Sequence, residues 1–293
     1  MWKRHACCGD KNLTIFAPSI LSKLGFGVSG PHGTFLTSRD ETISLIRRAH
    51  KFGIRNFDTA PSYGGGEAER RLGDALSSLE CSDCIVSTKV GILSDGTTRK
   101  RRDFSASGVC SSVENSLRRL RRSCIDVLYL HGPAPQELDD ELLASLLALK
   151  EGGQVGTLGV CGIGSELDAA ISVGEFTHYM TPVNATLSSD ALARLVRIRN
   201  AGKLVGIETM ALTRKSMSPF SAGGVWRLAR GVLRRARANA GATTTIGDAF
   251  AWSLKQGRAD LVLTTTTSSR HLDQVIDLFA SQMCSTRGPM GQS

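Results

Sequence analysis

The chain has 293 residues, 41% of them hydrophobic and 22% charged, with a formal net charge of +9. This length and balance fit one large globular α/β domain or two smaller ones, with a core that needs neither disulfides nor a metal, and they exclude a low-complexity or fibrous chain. Part of the basic excess sits in Arg99-Lys100-Arg101-Arg102 and between Arg227 and Arg237; such runs suit solvated faces, an anionic small molecule, nucleic acid or a membrane surface. The chain has no RNA-binding aromatic motif, no zinc-finger spacing and no apolar run of membrane-span length, so neither nucleic acid nor a membrane is an expected partner.

The eight cysteines are irregularly spaced, and Met1 to Asp10 lacks the apolar core of a secretory leader. The expectation is a cytoplasmic protein with reduced thiols and no metal. Cys81-Ser-Asp-Cys84 matches C-x-x-C, and Cys7-Cys8 offers a second pair. Without C-x-x-C symmetry between them, the reading is a surface loop with incidental thiols.

Residues 1–22 show no clear period and read as an N-terminal extension. Residues 23–29 form a first strand. Ser38 and Glu41 make a capping box that opens a helix closed by Gly53. A short strand, 56–60, stops at Pro61 and enters a Gly-rich turn, and a helix from Glu67 carries Leu72, Ala75, Leu76 and Leu79 on one face. Strand 85–90 follows, then a long basic loop, 91–104, and a helix over 107–122. Strand 127–130 precedes a helix over 135–150. Further pairs are strand 157–162 with helix 165–173, strand 178–183 with helix 189–201, and strand 204–208 with a loop at 213–224 and helices over 225–240 and 245–255. Strand 261–265 and helix 269–281 complete the series. Eight strand-then-helix units in one domain, residues 23–282, predict a closed (β/α)8 TIM barrel, with 283–293 as a tail. Gly25-x-Gly27-x-x-Gly30 matches a dinucleotide fingerprint, but Pro31 follows where a helix should open, so these glycines read as a strand and loop passing close to a ligand.

In such a barrel the reacting groups gather where strands end. Asp58, Lys89 and His131 fall at three successive strand ends, and Tyr63 lies in the loop after the first. A carboxylate buried there needs a cation, and Lys89 is the candidate. An ammonium near a phenol lowers its pKa from about 10 and makes it a better acid/base at neutral pH. Taken singly, each residue reads more simply as packing or an ion pair; taken together they point to catalysis.

Asp58-Thr-Ala-x-x-Tyr63-Gly-x-x-Glu67, Ser87-Thr-Lys89 and Leu128-Tyr-Leu-His131-x-Pro133 resemble the aldo-keto reductase superfamily, and the likeness runs from about Leu24 to Leu278. Leu24-Gly-Phe-Gly-Val-Ser and Leu130-His131-Gly-Pro look like its sugar dehydrogenase branch. The resemblance implies a barrel binding NAD or NADP without a Rossmann domain, with Tyr63 as acid/base, Lys89 and Asp58 tuning it, and His131 orienting a carbonyl or relaying the proton. It implies cofactor contacts at Gly27, Cys161, Gly162 and Asn184, and phosphate contacts at Thr267, Ser268, Arg270 and Gln274. The family's Ser-Asn pair is replaced by Cys161-Gly162, its Gln by Met180, read as core packing, and its stacking aromatic is missing from Glu208-Thr209-Met210. Arg270 is placed to meet a 2′-phosphate, which favours NADP. The family's Glu-Asn pair maps to Asp273-Gln274 or Gln274-Val275. The implied activity is reduction of an aldehyde or ketone, or oxidation of an alcohol or sugar hemiacetal, by a monomer or weak homo-oligomer. The departures leave a second reading, a non-catalytic nicotinamide-binding barrel that senses redox state.

Overall fold

The computed structural model describes residues 20–79, 81–94, 100–207 and 246–285. The predicted extension up to residue 19, Arg99, Glu208-Thr209-Met210, the loop at 213–224, the helix over 225–240 and the tail from 286 lie outside them.

Eight parallel strands close into a barrel in the order β1-β10-β9-β8-β7-β6-β3-β2. They are β1 (Leu24–Gly27), β2 (Asn56–Asp58), β3 (Ile85–Val90), β6 (Ile125–His131), β7 (Val155–Cys161), β8 (His178–Pro182), β9 (Lys203–Ile207) and β10 (Leu261–Thr264). Around them lie α1 (Arg39–Lys51), α2 (Glu67–Ser78), α3 (Ala106–Leu120), α4 (Asp140–Glu151), α5 (Ser165–Val173), α6 (Ser189–Ala201), α7 (Ile246–Lys255) and α8 (Ser269–Ser285). The predicted (β/α)8 architecture is therefore the observed one.

Two apolar layers follow from the strand period of two. The larger lies between strands and helices and includes Phe26, Phe57, Val86, Leu128, Val160, Tyr179 and Val262. The smaller fills the barrel interior with Val127, Tyr129, Cys161, Met180, Val205 and Leu263. Met180 is packed there, as expected. Gly159 makes room for the Tyr129 ring: a Cβ at 159 would lie 2.7 Å from two of its atoms.

Helix starts follow local chemistry. Ser38 and Glu41 form the reciprocal capping box, with Ser38 N–H donating to Glu41 Oε2 at 2.8 Å. The helix predicted from residue 135 begins later, because Asp139 accepts from Leu142 N–H at 2.8 Å and caps α4; Pro135–Glu137 forms a separate 3-10 turn. The segment predicted as a plain loop, 91–104, contains an antiparallel ribbon of β4 (Ile92–Ser94) and β5 (Lys100–Arg102). Arg102 leaves that ribbon to pair with Glu137 and to donate to Gly132 O at 2.9 Å, while its guanidinium stacks over Phe104.

The thiol reading of the C-x-x-C loop is corrected. Cys81 and Cys84 are joined as a disulfide, their Cα atoms 5.6 Å apart, within the span a disulfide bridges.

Two buried polar clusters tie the loops around β1 to β3. Glu69 on α2 is fully buried, accepts from Thr88 Oγ1 at 2.7 Å and pairs with Arg119 of α3 at 2.5 Å. His32 is also fully buried, with Nδ1 3.2 Å from Thr42 Oγ1 and Nε2 3.0 Å from Thr266 O. Arg71 donates to the carbonyls of His32 and Thr37 at 2.8 and 2.7 Å. The loop after β1 is thereby held to the loop after β10 and to α2.

Removing one member of a buried pair leaves the other uncompensated. Glu69→Ala is expected to lower stability by about 3 kcal/mol, read as a shift in the urea midpoint; an unchanged midpoint contradicts the assigned role. Burial lowers the His32 pKa from 6.5 to about 4, against a smaller upward pull from the Thr266 carbonyl, and Arg71 lowers it further. The unfolded chain therefore takes the proton first. The stability tied to this neutral imidazole is full above about pH 6.5 and is lost as pH falls toward 4, about 3 kcal/mol across that window. Urea titrations against pH should show this slope and its reduction in His32→Gln.

Candidate active site

Neighbouring strands are in register at Gly27↔Asp58↔Ser87, at Lys89↔Tyr129, and at His131↔Cys161↔Met180. Ser87 and Lys89, two residues apart on β3, face the barrel interior together, as do Tyr129 and His131 on β6. The predicted strand-end residues Asp58, Lys89 and His131 thus converge on one end of the barrel.

Lys89 is 2% exposed at its side chain, and its Nζ donates to Asp58 Oδ2 at 2.5 Å and to Thr59 O at 2.9 Å. The second Asp58 oxygen accepts from Ser87 Oγ at 2.7 Å. Burial by itself would lower the Lys89 pKa, but the Asp58 charge, with Tyr63 and Cys161 adding to it, outweighs burial and raises it above the usual lysine value. The ammonium stays charged in an apolar shell.

Tyr63 reaches this pair through a sharply bent loop. Its N–H donates to Ala60 O at 3.1 Å, and Gly64, Gly65 and Gly66 all take positive φ before α2 begins. At Gly64 a Cβ would lie 1.7 Å from Gly33 O, so no other residue fits there. The Tyr63 ring centroid is 5.3 Å from Lys89 Nζ and 6.4 Å from the His131 ring centroid, with the two rings nearly perpendicular. Tyr63 and His131 are half-buried, so the phenol and imidazole line the mouth while the ion pair lies beneath.

Ser87 and Tyr129 were not singled out from the sequence. The alternation Ser87-x-Lys89 and Tyr129-x-His131 is the signal that places them. Burial raises the Tyr129 phenol well above 10, and the charges of Asp58 and Cys161 push it further, so it stays protonated. Phe35 and Ile163, 95% and 63% exposed, stand on the loops after β1 and β7 and give the same end of the barrel an apolar rim.

The residues expected around a nicotinamide cofactor separate into two groups. Small hydroxyl residues gather after β10: Thr265 Oγ1 lies 3.3 Å from Ser29 Oγ, a Cβ on Gly27 would reach it at 2.4 Å, and Thr266 Oγ1 accepts from Ser268 N–H at 3.2 Å. Thr267 and Ser268 lead directly into α8, whose first turn carries the exposed Arg270, with the exposed Gln274 one turn on. Hydroxyls, a guanidinium and the free N–H groups of a helix start fit a phosphate. Asp273 is engaged elsewhere, in a two-bond pair with Arg48 of α1 at 2.6 and 2.7 Å, and Val275 is buried; of the two Glu-Asn alignments only Gln274 remains exposed.

The other group does not form a comparable cradle. Cys161 is packed inside the barrel, Gly162 N–H donates to Met180 O at 3.0 Å, and Asn184 Oδ1 accepts from Thr186 N and Oγ1 at 3.0 and 2.5 Å. A carboxylate oxygen of Glu166 lies 2.5 Å from where a Cβ on Gly162 would sit, and the Glu166 side chain accepts from Ile163 N–H at 2.8 Å.

Among the described residues no helix is long and apolar enough to cross a membrane. Residues 23–185 match the model of the Aldo/keto reductase family. The chain is similar to L-galactose dehydrogenase from Arabidopsis thaliana, 36% identical over 150 residues that cover 49% of this chain and 45% of that protein. It is also similar to D-threo-aldose 1-dehydrogenase from a Pseudomonas species, 32% identical over 169 residues, 51% of each chain. The chain thus matches about half the length of these curated relatives. A solved aldo-keto reductase from Bacillus halodurans, in its holo form, superposes with a TM-score of 0.70 over 90% of this chain and 91% of that one at 20% identity, a likeness of fold. With its family match extending across β1 to β8 and its barrel closed in the same way, this chain belongs to the aldo/keto reductase family.

Proposed function

We propose that the chain is an NAD(P)-dependent oxidoreductase that interconverts an aldehyde or ketone and the corresponding alcohol, sugar hemiacetals included. The observation that carries this reading is the Lys89 ammonium, pinned by Asp58 and held 5.3 Å from the Tyr63 ring centroid. Bound beside Tyr63, the nicotinamide would supply or accept a hydride. Negative charge then grows on the carbonyl oxygen, and Tyr63 donates its phenolic proton there. Lys89 stabilises the phenolate left behind, while Asp58, fixed by Ser87, keeps the ammonium in place. His131 donates to the same oxygen and orients it. In the oxidative direction Tyr63 takes the hydroxyl proton. Thr267, Ser268, Arg270 and the first turn of α8 would hold the cofactor's phosphates. Arg270 and Gln274 share one helix face, where Arg270 would meet a 2′-phosphate and favour NADP. The names of the two curated relatives support sugars as a first substrate class.

A second reading, a barrel that binds the nucleotide without turnover, is favoured by the commitments of Cys161, Gly162 and Asn184 to the protein's own contacts. One experiment separates the two. NADPH and NADH oxidation is followed with a panel of aldehydes, and NAD(P)⁺ reduction with a panel of aldoses, for the parent chain and Tyr63→Phe. The expected result is a fall in kcat of about 10²- to 10⁴-fold with cofactor affinity, read by fluorescence quenching, unchanged. Equal turnover by both proteins rejects Tyr63 as the acid/base. Cofactor binding without turnover on either panel selects the second reading.

A further inference from the structure

At the opposite end of the barrel, Cys81, Asp83 and Cys84 in the α2–β3 connection face His50, the penultimate residue of α1. One ligand atom from each of the four lies within 4.8 Å of the others, an arrangement unique among the described residues. Cys84 precedes the first residue of β3 and Lys89 is the fifth, so the cluster is about 16 Å along the strand from the ion pair.

We propose that, once the Cys81–Cys84 disulfide is reduced, these four side chains bind one Zn²⁺. A dithiol reductant supplies the two electrons and two protons that cleave the S–S bond. Zn²⁺ then displaces both thiol protons to solvent, and the two thiolates, the His50 imidazole and an Asp83 oxygen become its ligands. Two sulfurs, one nitrogen and one carboxylate oxygen are all donors that zinc binds, and four of them complete its tetrahedral coordination. With bonds of about 2.0–2.3 Å, such a set holds its ligand atoms about 3.3–3.8 Å apart; the two sulfurs, bonded to each other in the disulfide, separate to that distance on reduction, and the widest pairs of the 4.8 Å cluster close by about 1 Å, both within reach of side-chain rotation.

The surroundings are built for this. Arg55 Nε donates to Asp83 Oδ2 at 2.7 Å, which leaves Oδ1 turned toward Cys81, whose Sγ is 3.3 Å away. Arg55 Nη1 donates to the His50 carbonyl at 2.8 Å, and the Arg55 carbonyl accepts from Ile85 N–H at 2.8 Å. One arginine therefore orients the Asp83 carboxylate and fixes the backbone that carries His50, from outside the metal's reach, the part that outer partners play in metal sites. The charges also balance: two thiolates and a carboxylate leave a net −1 around Zn²⁺, and the Arg55 guanidinium neutralises it.

The test uses the full chain, reduced and freed of reductant under anaerobic conditions. Zn²⁺ is titrated against a chromogenic chelator, and Co²⁺ is added separately as an optical probe. One zinc per chain is expected, with thiolate-to-cobalt charge-transfer and tetrahedral ligand-field bands. Cys81→Ser should abolish them. Cys84 is buried, so the exposed end of the site is probed by His50→Ala and Asp83→Ala, with circular dichroism checking the fold. Each should weaken binding by more than the roughly 10- to 100-fold that loss of an outer partner costs. Absence of the cobalt bands in the reduced parent chain overturns the proposal. So does binding that survives Cys81→Ser, which assigns it to other cysteines, or binding indifferent to both His50→Ala and Asp83→Ala, which leaves only a thiol pair.

Discussion

The buried contact between Lys89 and Asp58 governs the rest of the active end. An ammonium at 2% exposure survives as a cation only because a carboxylate 2.5 Å away compensates for its lost hydration. That compensation is geometric. It needs β2 and β3 in register, so that Asp58 lies opposite Ser87 and Lys89 falls two residues on, facing the same interior. It also needs the Thr59 carbonyl and the Ser87 hydroxyl to fill the remaining hydrogen-bond directions. A slip of one residue in either strand would turn the charge toward the helix layer, among Phe57 and Val86, where nothing would balance it.

Everything nearer the surface is arranged about this pair. The three glycines after Tyr63 bend the loop back over it, and the close approach of Gly33 to Gly64 holds that bend. His32 and Arg71 clamp the Gly33 segment in turn, one against the loop after β10 and the other against α2. A phenol on a loop is thereby tied to the neighbouring loops and to α2. The position of the phenol is thus supported by polar contacts between segments far apart along the chain.

The barrel was legible because each strand-helix unit announces itself locally: apolar strands, capped helix starts such as Ser38–Glu41, and glycines such as Gly53 at helix ends. Asp58, Lys89 and His131 were legible for the same reason, since a strand's end is visible in its own residues. What was hidden depends on partners far apart in sequence. Ser87 could have faced either layer until its register with Asp58 was known. Cys81 and Cys84 looked incidental because His50 and Arg55, which complete their surroundings, belong to an earlier helix and the turn after it. The ribbon of β4 and β5 was missed because its second strand, Lys-Arg-Arg, is fully exposed and carries no apolar alternation. The late start of α4 is a capping effect, decided by Asp139 over a stretch whose composition would have allowed a helix from Pro135.

Closure itself has a consequence for any shorter version of this polypeptide. The span that matches the family model stops at residue 185, just after β8, whereas the ring is completed by β9 and β10, which bridge β8 to β1. A fragment cut at that limit would present two raw sheet margins, one on β1 and one on β8, each with unmatched peptide groups and apolar side chains on both faces. Such margins pair with whatever strand they meet. The span that matches the family model therefore lacks the two strands that close the ring, and β10 also leads into the hydroxyl-rich segment before α8.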